Sequence, residues 1–108
     1  MNHWIPRKAI AEVALRNSKY IVLGSREECV ELVNCYAPEH LMLSVKNYLD
    51  WVPEIRNAGS VFLGHYSPES AGDYASGTNH TLPTNGYARM CSGVNMDAFM
   101  KKISFQEI

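Results

Sequence analysis

Short apolar runs alternate with helical patterns along the first sixty residues, and this alternation constrains the fold more than any other feature. Three runs predict buried strands, at Tyr20–Leu23, Leu41–Val45 and Ser60–Leu63. Strands that alternate with helices are typical of α/β layers whose strands run mostly parallel. We therefore expect an α/β fold with a short, mostly parallel sheet and flanking helices.

Helical patterns surround these runs. Ser25 and Glu28 match a capping box that opens a helix to about Tyr36, and Pro38 prevents that helix from continuing. Other stretches with apolar residues at helical spacing predict three more helices, at about Arg7–Asn17 (entered through Pro6), Tyr48–Asn57 (with Pro53 inside it) and Asn95–Lys102.

Composition narrows the class of protein. With 108 residues, 46% of them hydrophobic and 19% charged, the chain is one globular domain at most. A formal net charge of −1 gives no electrostatic reason to expect nucleic acid or a membrane as a partner. Three cysteines, Cys29, Cys35 and Cys91, show neither a C-x-x-C spacing nor an even count. We therefore expect free thiols in a reducing compartment, the cytoplasm.

A long polar loop, Gly64–Thr84, follows the third predicted strand directly and shows neither a helical nor a strand period. Connections longer than about 12–15 residues are usually functional or disordered. Tyr66, Tyr74 and Leu82 favour a fixed path, although a mobile linker is the alternative reading. Because ligands gather at the carboxyl ends of parallel strands, we interpret this segment as a site loop.

Several residues could carry chemistry. Glu39 and His40 form an acid/base pair between Pro38 and a predicted strand, unless they are simply solvated loop residues. Asp73 is a metal ligand or an Asx-turn residue. His80 is a ligand, a substrate contact or a turn former, and the role of His65 is equally open. Phosphate-loop and complete zinc motifs are absent from the sequence, so pattern alone leaves the function open.

Longer sequence words point to a family. The chain resembles histidinol dehydrogenases in four collinear words: APEHL at 37–41, NAGSVFLG at 57–64, SPESAGDYASGTNHTLP at 67–83 and GYAR-x-x-SG at 86–93. With lower stringency the resemblance extends from Pro6 to Glu107, which is nearly the whole chain.

This resemblance implies a zinc- and NAD-dependent homodimer that oxidises L-histidinol through an aldehyde to L-histidine, with a Rossmann-like catalytic domain. By resemblance, Glu39 activates water in the aldehyde step, and His40 is the general base and contacts the substrate. Asp73 corresponds to a zinc ligand that also contacts substrate, and His80 lies near the substrate without a defined role. A zinc ion can polarise an alcohol as a Lewis acid while a base removes its proton.

The chain lacks other parts of the family pattern. Further zinc ligands, a substrate-binding Glu and most NAD contacts have no counterpart in this sequence, so the resemblance leaves the NAD-binding residues unknown. Ser104 and Glu107 repeat the S-x-x-E helix start just before the last residue. We expect residues 1–108 to be one partial domain of a larger histidinol dehydrogenase, inactive alone and self-associating. The alternative is a non-catalytic remnant or a stand-alone binding module that retains the site loop.

Overall fold

A computed structural model describes residues 6–108 and shows an α/β arrangement, as the sequence predicts. Two strands, β1 (His40–Leu43) and β2 (Ser60–Leu63), pair in parallel, with His40 opposite Ser60 and Leu43 opposite Leu63. The helices are α1 (Lys8–Asn17), α2 (Arg26–Tyr36) and α3 (Glu69–Tyr74), and short 3-10 turns lie at Tyr48–Asp50, Val52–Glu54, Tyr87–Arg89 and Met96–Phe99.

Helix α2 begins with the capping box that its sequence predicts. The Ser25 hydroxyl accepts a hydrogen bond from the Glu28 N–H at 3.1 Å, and the Glu28 carboxylate accepts one from the Ser25 N–H at 3.2 Å. The helix ends at Ala37, which adopts the left-handed conformation with φ 54° and donates its N–H to the Val33 carbonyl. This ending turns the chain sharply towards β1.

The prediction of a strand at Tyr20–Leu23 is wrong. The segment pairs with no strand within residues 6–108, and Tyr20 is 94% exposed. A strand requires a partner for its N–H and C=O groups, and an apolar run does not reveal whether that partner exists. The sheet of the described chain therefore has two strands, where we expected three.

Two helical predictions also need correction. The expected helix at Tyr48–Asn57 is replaced by two 3-10 turns, because Pro53 lacks the N–H that a continuing helix needs. The expected helix at Asn95–Lys102 shrinks to a single 3-10 turn.

The core is small and lies around the two strands. Its buried members are Val30, Asn34, Ala37, Leu43, Phe62, Gly72 and Ala88. The chain exposes 9617 Å² of surface, whereas a compact protein of this mass exposes about 6,100 Å². Its radius of gyration is 18.0 Å, against about 13 Å for a compact domain of this length. Much apolar surface therefore stays uncovered.

No helix within residues 6–108 has the length and apolar character needed to cross a membrane.

Candidate active site

The candidate residues converge near the amino end of β1, and not at the carboxyl ends of the strands as we expected. His40 is the first residue of β1, and Glu39 directly precedes it. The loop does leave β2 at its carboxyl end, at Gly64, but α3 within that loop returns to the side chain of His40. The loop at 64–84 is therefore partly helical, and its helix contributes to the site.

Backbone contacts fix the Glu39–His40 junction against the start of β2. The Gly59 N–H donates to the Pro38 carbonyl and the Ser60 N–H to the Glu39 carbonyl, both at 2.9 Å. A β-carbon on Gly59 would lie 2.5 Å from the Glu39 carbonyl oxygen, far inside van der Waals contact. Only glycine permits this close approach, which explains its place in the NAGS segment.

Asn34 connects α2 to the segment before β2. Its amide donates to the Glu54 carbonyl at 2.9 Å, and its side-chain oxygen accepts from the N–H groups of Arg56 (2.7 Å) and Asn57 (3.1 Å). The Asn57 side chain donates in return to the Asn34 carbonyl. Because Asn34 is only 6% exposed, these bonds satisfy a buried polar group and fix the approach to Gly59.

The His40 imidazole lies between two carboxylates and against an aromatic ring. Its Nδ1 is 3.9 Å from a Glu39 oxygen, and its Nε2 is 3.8 Å from a Glu69 oxygen. Its ring stacks on Phe62 with centroids 6.0 Å apart and planes inclined by 21°. Both separations exceed hydrogen-bond length, so the two carboxylates flank the ring without a direct hydrogen bond to it. With 32% of the side chain exposed, His40 is accessible from solvent.

Glu69 also belongs to this cluster, although we did not predict it. It lies four residues before Asp73 on α3, so the two carboxyl groups share one face of the helix. A hydrogen bond with Asp73 and repulsion from its charge raise the pKa of Glu69, while His40 opposes the shift. The E-x-x-x-D spacing in SPESAGDY is compatible with two carboxyl groups on one helical face. A helix of six residues is, however, too short for a helical period to be recognised in the sequence.

Gly72 brings α3 close to the sheet. A β-carbon on Gly72 would lie 2.8 Å from the Thr78 hydroxyl and 3.1 Å from the ring of Phe62. The helix therefore contacts the same ring on which His40 stacks. This packing places Glu69 beside His40.

The predicted residues do not all come together. Glu39 and His40 are adjacent, and Asp73 joins them through Glu69. His80 is exposed and forms no ion pair with these groups in the part of the chain that is described. His65 lies elsewhere, with its Nδ1 2.6 Å from the Ser44 hydroxyl beyond the carboxyl end of β1.

Zinc does not fit the residues present here by themselves. Across residues 6–108 there is no group of three or more His, Cys, Asp or Glu side chains that could hold a metal ion. Tight zinc sites use about four ligands, of which Asp73 could supply one carboxylate oxygen. The three cysteines are free thiols.

A cleft of about 520 Å³ opens beside Glu39. It lies between the end of α2 and residues 84–89, and Arg89 lines its far wall. Glu39 therefore borders open space large enough for water or part of a substrate.

Comparison with known proteins identifies the family. The family model for histidinol dehydrogenase matches residues 2–108. A histidinol dehydrogenase of Bacteroides fragilis is 61% identical over 105 residues, which are 97% of this chain and 24% of that protein. The counterpart in Methanocaldococcus jannaschii is 55% identical over 102 residues, or 94% of this chain and 24% of that protein.

A solved structure agrees with these relatives. The crystal structure of histidinol dehydrogenase from Elizabethkingia anophelis superposes with a TM-score of 0.89 at 60% identity, and it covers 96% of this chain and 24% of that one. The chain thus spans about a quarter of the length of the relatives it matches. The chain belongs to the histidinol dehydrogenase family.

Proposed function

We propose that this chain acts as part of a histidinol dehydrogenase, an enzyme of histidine biosynthesis that oxidises L-histidinol to L-histidine with NAD and zinc. The observation that supports this most is the His40 imidazole, which lies between Glu39 and Glu69 and is accessible from solvent. An imidazole flanked by carboxylates is suited to accept and return protons near neutral pH.

His40 serves as the general base. Its neutral ring would accept the proton of the substrate hydroxyl, while NAD, if bound, would accept the hydride. Stacking on Phe62 and the register of β1 with β2 hold the ring in place. A fixed base of this kind serves both oxidation steps, because each begins with an O–H group.

Glu39 serves the second step. Oxidation of an aldehyde to an acid requires addition of water, and a carboxylate beside an open cleft can take a proton from that water. The main-chain bond from Ser60 fixes the Glu39 backbone, and Glu39 borders the cleft. We assign Glu39 to water activation only, and not to alcohol oxidation.

The metal and the dinucleotide need more than these residues. Zinc, if bound, would polarise the substrate oxygen as a Lewis acid. We propose that Asp73 gives one ligand and contacts substrate, that His80 lies near the substrate, and that polypeptide outside residues 6–108 completes the zinc and NAD sites. Residues 1–108 are then one partial domain of a homodimer, with 64–84 as its site loop. Its three free thiols support a cytoplasmic location.

The experiment uses the full-length parent enzyme and its His40→Asn variant. Wild-type protein should reduce NAD with histidinol and with the aldehyde, and His40→Asn should lower both rates by about 10²-fold or more, the typical contribution of a general base. His65→Asn is the matched control, since His65 lies outside the cluster. A wild-type enzyme that does not oxidise histidinol would overturn the proposal, as would a His40→Asn variant with unchanged rates.

A further inference from the structure

The Arg89 guanidinium binds the end of α2 from a distant part of the chain. Its Nε donates to the Cys35 carbonyl at 3.1 Å, and its Nη2 donates to the same oxygen, across 54 residues of sequence. That carbonyl belongs to the last turn of α2, where no further helical N–H follows to bind it. A cation there also complements the partial negative charge of the helix end.

The turn that precedes Arg89 is shaped for this contact. Asn85 and Gly86 both have left-handed backbones, with φ of 52° and 79°. A β-carbon on Gly86 would lie 3.6 Å from the Tyr36 carbonyl oxygen, so the turn lies directly against the helix end. The following 3-10 turn, Tyr87–Arg89, then directs the guanidinium onto Cys35.

The bound carbonyl lies four residues before Glu39. Ala37, between them, is 1% exposed and holds a left-handed conformation that is unfavourable for a residue with a β-carbon. Arg89 fixes the chain before Ala37, and the Gly59 and Ser60 N–H groups fix it afterwards. Glu39 therefore depends on anchors on both sides, whereas the His40 ring has its own support in Phe62.

We propose that Arg89 is a positioning residue for Glu39: by holding the carboxyl end of α2, it sets the direction of the Glu39 carboxylate in the cleft that both residues line. The inference rests on the proposed function, because it requires Glu39 to activate water. Arg89 does not contact the reacting atoms in this assignment. Its loss should therefore impair aldehyde oxidation more than alcohol oxidation.

The test compares Arg89→Gln and Arg89→Lys in the full-length enzyme, with Arg16→Gln as a control on the exposed last turn of α1. The kcat and KM values are measured separately with histidinol and with the aldehyde. For Arg89→Gln we expect kcat to fall about 10-fold with the aldehyde and less than about 3-fold for alcohol oxidation, in line with the cost of a small misplacement. Arg89→Lys should recover part of the loss, and Arg16→Gln should match the wild type.

A second readout does not depend on activity. Hydrogen exchange at the Gly59 and Ser60 amides, which bind the Pro38 and Glu39 carbonyls, should become faster in Arg89→Gln and remain at the wild-type rate in Arg16→Gln. Equal losses in both oxidation steps, or unchanged amide exchange, would overturn the role of Arg89. An inactive wild-type enzyme would instead overturn the proposed function, and amide exchange would still decide whether Arg89 holds this junction. If Arg89→Gln fails to fold, Arg89→Lys carries both measurements.

Discussion

Gly59 lies so close to Glu39 that a β-carbon on it would be 2.5 Å from the Glu39 carbonyl oxygen. The atom it would meet belongs to the backbone of a paired strand junction, which has little freedom to move. The backbone conformation at Glu39 and His40 therefore depends on Gly59, the residue that directly precedes β2.

Gly59→Ala should destabilise the full-length enzyme by about 1–3 kcal/mol, the usual cost of forcing extra volume into a packed site. Urea unfolding measures the change, and the rates of both oxidation steps should fall with it. Gly24→Ala is the matched control, because a β-carbon there meets only the Glu28 side chain at an ordinary 3.5 Å. Equal free energies of unfolding for Gly59→Ala and Gly24→Ala would show that the backbone at the start of β1 and β2 can shift to accommodate the added β-carbon.

Glu69→Gln should change stability in a pH-dependent way. Asp73 raises the pKa of Glu69 above its ordinary value of 4.5, so the folded protein holds that proton more tightly than the unfolded chain. The stabilisation that protonated Glu69 contributes is therefore present below pH 4.5, and it is lost as the pH rises through the raised pKa.

Because Glu69→Gln removes the negative charge beside Asp73, it should raise the Tm of the metal-free enzyme relative to wild type at about pH 7. This gain in Tm should vanish at about pH 4. Thermal unfolding at both pH values gives the result, with Glu31→Gln on the exposed face of α2 as the control. A gain of the same size at both pH values would contradict the assigned interaction with Asp73.

Asp73→Ala should lower the zinc content of the full-length enzyme, because a four-ligand site loses one carboxylate. Elemental analysis after gel filtration measures zinc per subunit. Asp97→Ala, on a 3-10 turn outside the cluster, should leave zinc unchanged. Full zinc occupancy in Asp73→Ala would show that the ligand role does not apply to this residue.

The 108-residue chain alone should be inactive and should self-associate. Its described residues cannot complete a zinc site, and large apolar side chains are exposed on it, among them Ile10, Val13, Leu15, Tyr20 and Val22. Exposed apolar surface and open strand edges promote pairing between copies. Sedimentation at tens of micromolar should show dimers or larger species. A monomer there, or NAD reduction with histidinol, would contradict this expectation.

Local signals predicted much of the fold. The capping box fixed the start of α2, and the Ser60–Leu63 strand has the bounds that its apolar run indicates. The prediction of a strand at Tyr20–Leu23 failed, because strand formation depends on a partner strand that the apolar run itself does not specify. Sequence patterns are therefore most informative where the stabilising contacts are local.

The candidate site also combines features that are visible in the local sequence with features that depend on contacts between distant segments. The adjacency of Glu39 and His40 is visible in the sequence, and the resemblance adds Asp73. The place of Glu69 depends on α3 lying against Phe62 through Gly72, a contact between segments that no local period reports. Likewise, the bond from Arg89 to Cys35 spans 54 residues and becomes visible only in the folded chain.

The separate roles of Glu39 and His40 are the centre of this account, and the yield of NADH per histidinol consumed tests them most directly. The measurement uses full-length wild-type enzyme and Glu39→Gln with limiting histidinol and excess NAD. Wild type should give two NADH per histidinol, whereas Glu39→Gln should stop after the alcohol step and approach one, because only the aldehyde step needs activated water. A yield of two from Glu39→Gln, reached at the wild-type rate, would contradict the account.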